Sequence, residues 1–206
     1  MDQIPVIFQI AVLIFSVVIH EVSHGAMALA FGDKTAEYQG RLTLNPLKHI
    51  DLFGSIIFPF LLFIFNTGFI IGWAKPVPYN PYNLRKPRFA EPLVAFAGPL
   101  SNLIIATIFG LAIRFAAVSG ILSSQLILIF ANVVIINIAL AVFNLIPIPP
   151  LDGSKILFSF FPNSRFAFTE IAARYGFFVI ILIVYFLPNL ISPVIGSLFS
   201  LITGLH

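Results

Sequence analysis

The sequence contains no cysteine and few charged residues, and each absence excludes a class of protein. Without cysteine, the chain can form neither a disulfide nor a thiolate metal site. Charged residues make up 9% of the chain and hydrophobic residues 59%, whereas a soluble domain is typically about 25% charged. This composition predicts an integral membrane protein and leaves no stretch polar enough to form a soluble domain.

The few charges lie mainly in polar segments between apolar runs. The net charge is +3, and basic residues in loops follow the positive-inside rule rather than indicating nucleic-acid binding. The N-terminus has neither a basic region nor a small-residue cleavage site, so we expect a retained membrane span instead of a signal peptide. We predict a single domain in the lipid bilayer over residues 1–206, with a core at 4–153 and C-terminal helices at 154–206.

Long apolar runs predict an all-α polytopic membrane protein, which is a bundle of helices joined by polar segments. A helix needs about 17–25 largely apolar residues to cross the bilayer. The predicted crossings are residues 4–32, 93–118, 122–146 and 170–187, and residues 192–205 form a shorter apolar tail.

Residues 52–72 are apolar but are interrupted by Pro59 and by a turn signal, Asn66-Thr67-Gly68. Of the eleven Lys and Arg residues, seven lie between positions 33 and 92. If residues 52–72 enter the membrane and return, all seven share one side, and ten of the eleven become cytoplasmic with the N-terminus outside. The charges therefore favour a re-entrant segment, although residues 52–72 are also long enough for a full crossing.

The sequence His20-Glu21-Val22-Ser23-His24 lies inside the first apolar run. Histidines at positions i and i+4 share one face of a helix and can bind one metal ion, and Glu21 is placed to take a proton from a metal-bound water. Ionisable groups in a membrane span are costly and usually functional, and these three are the only ones between Ile4 and Phe31. The alternative is a helix whose polar face pairs with neighbouring helices.

A catalytic zinc ion usually has three protein ligands and one open position for water. Asp152 is the best candidate for the third ligand, because the predicted topology returns it to the same side as His24. The proline-rich residues 147–150 also break the helix just before it. The alternatives are a solvated Asp-Gly turn at Asp152, or His49 or Asp51 as the ligand, although both lie in what looks like a membrane-surface turn. We expect one Zn²⁺ per chain.

Two further pairs of polar or small residues lie in the apolar runs. Asn137 and Asn144 are seven residues apart and share a helix face. Asn144 could donate to a developing oxyanion, whereas a hydrogen bond between helices is the expected role of Asn137. Gly98 and Asn102 are predicted to allow close helix packing.

Residues 40–45 alternate polar and apolar side chains and end at Pro46, which predicts a short strand. Such a strand could bind an extended substrate peptide by edge pairing, and an ordinary membrane-surface hairpin is the alternative. The candidate substrate-binding residues are Gly40, Arg41, Leu42, Thr43, Leu44 and Asn45.

Five motifs occur in order within residues 15–153: HEVSH, NPLKHID, GWAKPVP, AGPLSN and FNLIPIPPLDG. Together they resemble the site-2 protease family of intramembrane zinc metalloproteases, and the chain looks like a minimal member without PDZ or CBS domains. The resemblance implies that the zinc ligands are His20, His24 and Asp152. It also implies that Glu21 is the catalytic base and that Asn144 stabilises the reacting peptide.

The expected function is hydrolysis of peptide bonds in or near transmembrane segments of membrane protein substrates, with Glu21 as general base on a zinc-bound water. The active site is expected toward the cytoplasmic side of the cell membrane, and no oligomeric state is predicted. The alternative is a metal-binding transporter or permease, because His and Asp within the membrane can line an ion path. The chain lacks the symmetric pair of broken spans that many transporters have. An inactive relative acting as a chaperone is disfavoured because Glu21 and all three candidate ligands are present.

Overall fold

The computed structural model describes residues 4–65, 73–120, 122–160 and 188–205. Over these residues the chain is mostly α-helical and contains no β-strand, which confirms the all-α class. The helices are α1 (Val6–Ala30), α2 (Thr35–Tyr38), α3 (Phe58–Ile64), α4 (Pro87–Ser119), α5 (Ser124–Asn144), α6 (Asp152–Phe160) and α7 (Pro188–Thr203).

Helices α1, α4 and α5 are long and apolar enough to cross a membrane, with mean hydropathies of 2.1, 1.8 and 2.8. They pack against one another, and α4 also contacts α6 and α7. Three predicted crossings are thereby confirmed as membrane-length helices. The fourth, residues 170–187, lies outside the described residues, and the division of the chain at residue 153 stays a prediction.

Apolar side chains cover the outside of this helix bundle, and polar ones lie inside it. Ile7 and Phe115 are 78% and 70% exposed, whereas Asn102 and Asn137 are 0% exposed. Lipid favours this distribution, because polar groups in a membrane segment need partners that hydrocarbon cannot supply. The functional side chains are therefore expected where α1, α4 and α5 meet.

The helical conformation is interrupted between α5 and α6, at the place where the prolines predict that a helix must end. Helix α5 ends at Asn144, residues 145–151 form turns, and α6 begins at Asp152. Proline has no N–H for the helical hydrogen bond, so α5 cannot continue through this stretch. The break brings Asp152 to the first position of a new helix that packs against α4.

A buried aspartate fastens the end of α1 to the segment that precedes α4. Asp33 accepts hydrogen bonds from the backbone N–H and hydroxyl of Thr35, from Asn80 N at 2.7 Å and from Asn83 Nδ2 at 3.0 Å. Burial alone would raise the pKa of Asp33, but these hydrogen bonds outweigh it and lower the pKa from its ordinary 3.8. Residues 79–83 are thus held beside the end of the first span.

The strand predicted at residues 40–45 is wrong. Gly40 adopts a φ of 61° in a turn, and no backbone ladder forms in this part of the described chain. Instead, Arg41 Nη2 donates to the carbonyls of Lys75 and Pro76 at 2.8 and 3.2 Å. The alternating pattern led to the expectation that the apolar side chains are buried and the polar ones exposed. In the structure the polar Arg41 is buried, at 7% exposure, and the apolar Leu44 is 58% exposed.

The start of the apolar segment 52–72 lies beside Trp73, the residue that follows the segment in the chain. It begins with a π-helical turn, Leu52–Ile57, followed by α3. Trp73 N donates to Gly54 O at 3.1 Å, and a Cβ at Gly54 would lie 2.2 Å from Nε1 of the Trp73 ring. Residues 66–72, which include the Asn66-Thr67-Gly68 turn, lie outside the described residues, so the re-entrant path stays a prediction.

Candidate metal centre

Three side chains from opposite ends of the sequence meet where the membrane helices pack together. His20 and His24 lie on one face of α1 and are 5% and 7% exposed, and Asp152 at the start of α6 is 6% exposed. Asp152 Oδ2 is 3.1 Å from each histidine Nε2, and the two Nε2 atoms are 3.1 Å apart. This is the group of three that could hold a metal ion among the described residues.

Each histidine uses its other ring nitrogen for a hydrogen bond away from this centre. His24 Nδ1 lies 2.7 Å from the carbonyl oxygen of Val94, and His20 Nδ1 lies 2.6 Å from Asn102 Oδ1. Because a carbonyl oxygen can only accept, both Nδ1 atoms carry the proton in the neutral imidazoles. Both Nε2 atoms then present lone pairs to the centre, as metal-binding histidines do.

The geometry and chemistry of these three atoms fit a zinc ion. Two imidazole lone pairs and a carboxylate oxygen repel one another at 3.1 Å unless a proton or a metal cation lies between them. A tetrahedral Zn²⁺ with bonds of about 2.0–2.1 Å holds its ligand atoms about 3.3 Å apart, which is close to the observed triangle. His20, His24 and Asp152 would hold the ion and leave a fourth position for water.

Gly98 of α4 packs directly against the two imidazoles. A Cβ at this position would lie 2.4 Å from His24 Nε2 and 2.6 Å from His20 Nε2. Gly98 was predicted to allow close helix packing. In the structure it allows the backbone of α4 to approach the two candidate metal ligands on α1.

We expect Gly98→Ala to weaken zinc binding and to lower peptide cleavage by about 10²-fold, because the methyl group pushes the imidazoles out of place and shifts of about 1 Å are that costly. Zinc content and cleavage rate would be measured on purified protein. Gly196→Ala is the matched control, since a Cβ there meets nothing within 4 Å. Equal zinc affinity in the two variants would contradict this role for Gly98.

Lys155 limits how Asp152 can bind a metal. Its ammonium group donates to Asp152 Oδ1 at 3.1 Å, while Oδ2 faces the histidines. The lysine also lies above the Tyr79 ring, with Nζ 5.9 Å from the ring centroid. One carboxylate oxygen is therefore held by Lys155 and the other remains for the metal.

The carboxylate of Glu21 is oriented by the backbone of the segment that follows α3. Glu21 Oε2 accepts a hydrogen bond from Val77 N at 2.8 Å. Pro76 and Pro78 have no N–H, so Val77 is the backbone donor within this tripeptide. The buried Arg41 holds the preceding carbonyls, which keeps the Val77 amide directed at Glu21.

Other predicted residues have local partners. Asn144 Nδ2 donates to Leu140 O of its own helix at 2.9 Å, so stabilising an oxyanion would require a rotation of this amide. Of the two rival ligands, His49 Nε2 lies 2.9 Å from Thr43 O, and Asp51 Oδ1 accepts from Gly54 N. Neither belongs to the three-residue group among the described residues.

Sequence reasoning missed the polar groups that orient the candidate ligands. Asn102 was assigned to helix packing, although a buried amide in a membrane span is a signal of function. Lys155 lies three residues after Asp152, a spacing that places two side chains on one helix face. The contacts of Val94 and Val77 are made by backbone groups, which leave no signal in the sequence.

Three membrane-length helices around a buried pair of HExxH histidines and an aspartate define a multi-pass membrane metalloprotein. The profile of Peptidase family M50 matches residues 112–184. The chain is 42% identical over 181 residues to "Putative zinc metalloprotease YwhC" of Bacillus subtilis strain 168, covering 85% of this chain and 79% of that protein. It is 31% identical over 197 residues to "Putative zinc metalloprotease Rip2" of Mycolicibacterium smegmatis, covering 94% and 70%.

The chain therefore belongs to peptidase family M50, the site-2 protease family, and is a zinc metallopeptidase of the membrane. A second "Putative zinc metalloprotease Rip2", from Mycobacterium tuberculosis strain H37Rv, is 31% identical over 150 residues, covering 72% of this chain and 55% of that protein. No solved structure matches the chain at a significant level.

Proposed function

We propose that this peptidase hydrolyses peptide bonds in or near the transmembrane segments of other membrane proteins. The observation that carries the proposal is the buried group of His20, His24 and Asp152 between membrane-length helices, with Glu21 directly after His20 in the chain. The position of this site among such helices favours substrates that reside in the bilayer.

When bound, the zinc ion would polarise the scissile carbonyl and lower the pKa of a coordinated water to about 7. Glu21 acts as general base: it accepts a proton from the attacking water and delivers it to the leaving amine. The hydrogen bond from Val77 N occupies Oε2 at 2.8 Å and leaves Oε1 for this proton. The hydrogen bond from Lys155 holds Asp152 in position beside the two histidines.

Asn144 is proposed to stabilise the oxyanion of the reacting peptide. It is the last residue of α5, just before the turns that lead to Asp152. Its amide now donates to Leu140 O, a bond that can be exchanged for one to the substrate. Removing a single donor of this kind typically slows a hydrolase by 10²–10³-fold.

Residues 40–45 remain the proposed contact with the substrate peptide, although they do not form a strand. Gly40, Leu44 and Asn45 are exposed, while Arg41 supports the segment beneath them. An unwound substrate could bind along these exposed residues, next to the Val77 segment that contacts Glu21.

The proposal is tested with purified protein in liposomes that contain a fluorescent transmembrane peptide. Cleavage should require zinc, and it should cease on addition of a chelator and return when zinc is restored. Movement of metal into the vesicles without any cleavage would contradict the proposal and favour a transporter.

We further propose that residues 52–72 return to the side from which they enter and that the centre opens toward the cytoplasm. The hydrogen bond between Trp73 N and Gly54 O, at 3.1 Å, supports this path. The seven basic residues between positions 33 and 92 support the orientation.

Because the chain has no cysteine, single introduced cysteines test this topology directly. We expect Lys34→Cys and Tyr82→Cys, both at exposed positions, to react with a membrane-impermeant thiol reagent from the cytoplasmic side. Ser124→Cys, at the opposite end of the α4–α5 pair, should react from the other side. Labelling of Lys34→Cys and Tyr82→Cys from opposite sides would show a full crossing by residues 52–72.

A further inference from the structure

A chain of buried polar side chains runs from the candidate metal centre into the core of the bundle. It links Ser16 on α1, Asn102 on α4 and Asn137 on α5, which are 4%, 0% and 0% exposed. Burying an amide without hydrogen bonds is unfavourable, and all the donors and acceptors of these two amides that face the core have partners at 2.6–3.3 Å. The arrangement is therefore specific and not incidental.

Two backbone carbonyls fix the direction of both amides. Asn137 Nδ2 donates to Val133 O at 2.9 Å and to Ser16 Oγ at 3.0 Å, so its Oδ1 must face Asn102. Asn102 Nδ2 donates to this Oδ1 at 2.9 Å and to Ser16 O at 3.3 Å. Since a carbonyl oxygen cannot donate, exchanging O and N in either amide would place two acceptors together.

The fixed orientation of the Asn102 amide determines which ring nitrogen of His20 carries the proton. With Nδ2 of Asn102 committed to the core, its Oδ1 faces His20 Nδ1 at 2.6 Å and accepts the ring proton. The Nε2 lone pair is thereby turned toward Asp152 and His24. The tautomer of His24 is set in the same way by the backbone carbonyl of Val94, which a substitution does not remove. The tautomer of His20 is set by the side chain of Asn102, which a substitution can change.

We propose that Asn102 is a positioning residue for the metal centre, which holds His20 in the tautomer and orientation that bind zinc, and that Asn137 and Ser16 set the direction of the Asn102 amide. This rests on the proposed assignment of His20 as a zinc ligand. Replacing such an outer hydrogen-bond partner typically lowers metal affinity by 10–100-fold. If Asn102 served only to join helices, its loss would reduce stability and leave zinc affinity unchanged.

The experiment measures zinc affinity by competition with a chromophoric chelator on purified protein in lipid nanodiscs. We expect Asn102→Leu to weaken zinc binding by about 10–100-fold. Asn102→Asp should restore part of the affinity, because one carboxyl oxygen again accepts from His20 while the other, protonated in this buried position, donates to Asn137 Oδ1 in place of the lost amide. Asn132→Leu is the matched control, an asparagine of the same span as Asn137 that lies outside the polar chain. It should bind zinc with wild-type affinity.

Cobalt substitution gives a second measurement, which reports the geometry of the metal ligands and not the stability of the protein. The visible absorption of the cobalt form should change in Asn102→Leu and remain as in the wild type in Asn132→Leu, because only the former alters the geometry of a ligand. Should Asn102→Leu not fold, Asn102→Asp and Asn137→Leu provide the comparison, with Asn137→Leu expected to weaken zinc binding through loss of the amide direction.

The outcomes separate this inference from the function on which it rests. Equal zinc affinity and cobalt spectra in Asn102→Leu and Asn132→Leu, with zinc still bound by the wild type, would overturn the role of Asn102 and leave the metal centre intact. Unchanged zinc affinity in a His20→Ala variant would instead remove His20 from the ligand set, and the inference would fall with it.

Discussion

Replacing Glu21 by glutamine is expected to lower the rate of peptide cleavage by about 10²–10⁴-fold, the usual contribution of a general base, while zinc remains bound at the wild-type level. Glutamine has nearly the same shape, and its amide oxygen can still accept the hydrogen bond that Glu21 Oε2 receives from Val77 N at 2.8 Å. The fold around the centre is therefore retained. What is lost is the ability to take a proton from the attacking water.

The experiment compares zinc content and cleavage of a transmembrane peptide for wild type, Glu21→Gln and Glu37→Gln. Glu37 is an exposed glutamate on α2, so its replacement tests for general effects of removing a carboxylate. Unchanged cleavage by Glu21→Gln would refute its role as the base. Loss of zinc from this variant would show instead that Glu21 is part of the metal site.

The membrane helices and the first two ligand candidates follow from local signals in the sequence. The helical period alone places His20 and His24 on one face, because side chains four residues apart are neighbours on a helix. Apolar runs of sufficient length identify α1, α4 and α5 without any knowledge of the tertiary structure. These features depend on short stretches of chain, and the structure places them as expected.

The position of Asp152 near the two histidines was predictable for a different reason, while its role as a metal ligand stays a prediction. The distribution of Lys and Arg predicted a topology in which Asp152 lies on the same side of the membrane as His24. The prolines just before Asp152 predicted that the preceding helix ends there, which places this carboxylate at the start of a new helix. Asp152 Oδ2 lies 3.1 Å from each histidine, which agrees with that reasoning. The aspartate is 132 positions from His20 and 128 positions from His24 in the sequence.

The polar segments were harder to predict because side chains, not a backbone ladder, satisfy their hydrogen bonds. The alternation at residues 40–45 suggested a strand, but Arg41 is the buried residue and binds the carbonyls of Lys75 and Pro76. Alternation predicts a strand only when the buried members are apolar and a neighbouring strand is present. The role of Asn102 was likewise missed, since its partner His20 lies 82 positions away.

Removing the Asp152 carboxylate is expected to cause the largest loss of zinc affinity, greater than the 10–100-fold that an outer hydrogen-bond partner contributes. Asp152→Ala removes the only negatively charged member of the described three-residue group, and it leaves the Lys155 ammonium near two imidazoles without the carboxylate that it contacts at 3.1 Å. A cation between two neutral nitrogens and a lysine is strongly disfavoured. Cleavage should disappear together with the zinc.

Asp51→Ala is the matched control, because the sequence also offers Asp51 as a ligand while the structure commits its Oδ1 to Gly54 N. Zinc content by elemental analysis and zinc affinity by chelator competition should remain at wild-type values in this variant. Asp152→Asn should fall between Asp152→Ala and the wild type, since its amide oxygen is a neutral and weaker ligand. If zinc were retained by Asp152→Ala and lost by Asp51→Ala, the proposed centre would be wrong, because the negative ligand would then come from the loop after α2 and not from the start of α6.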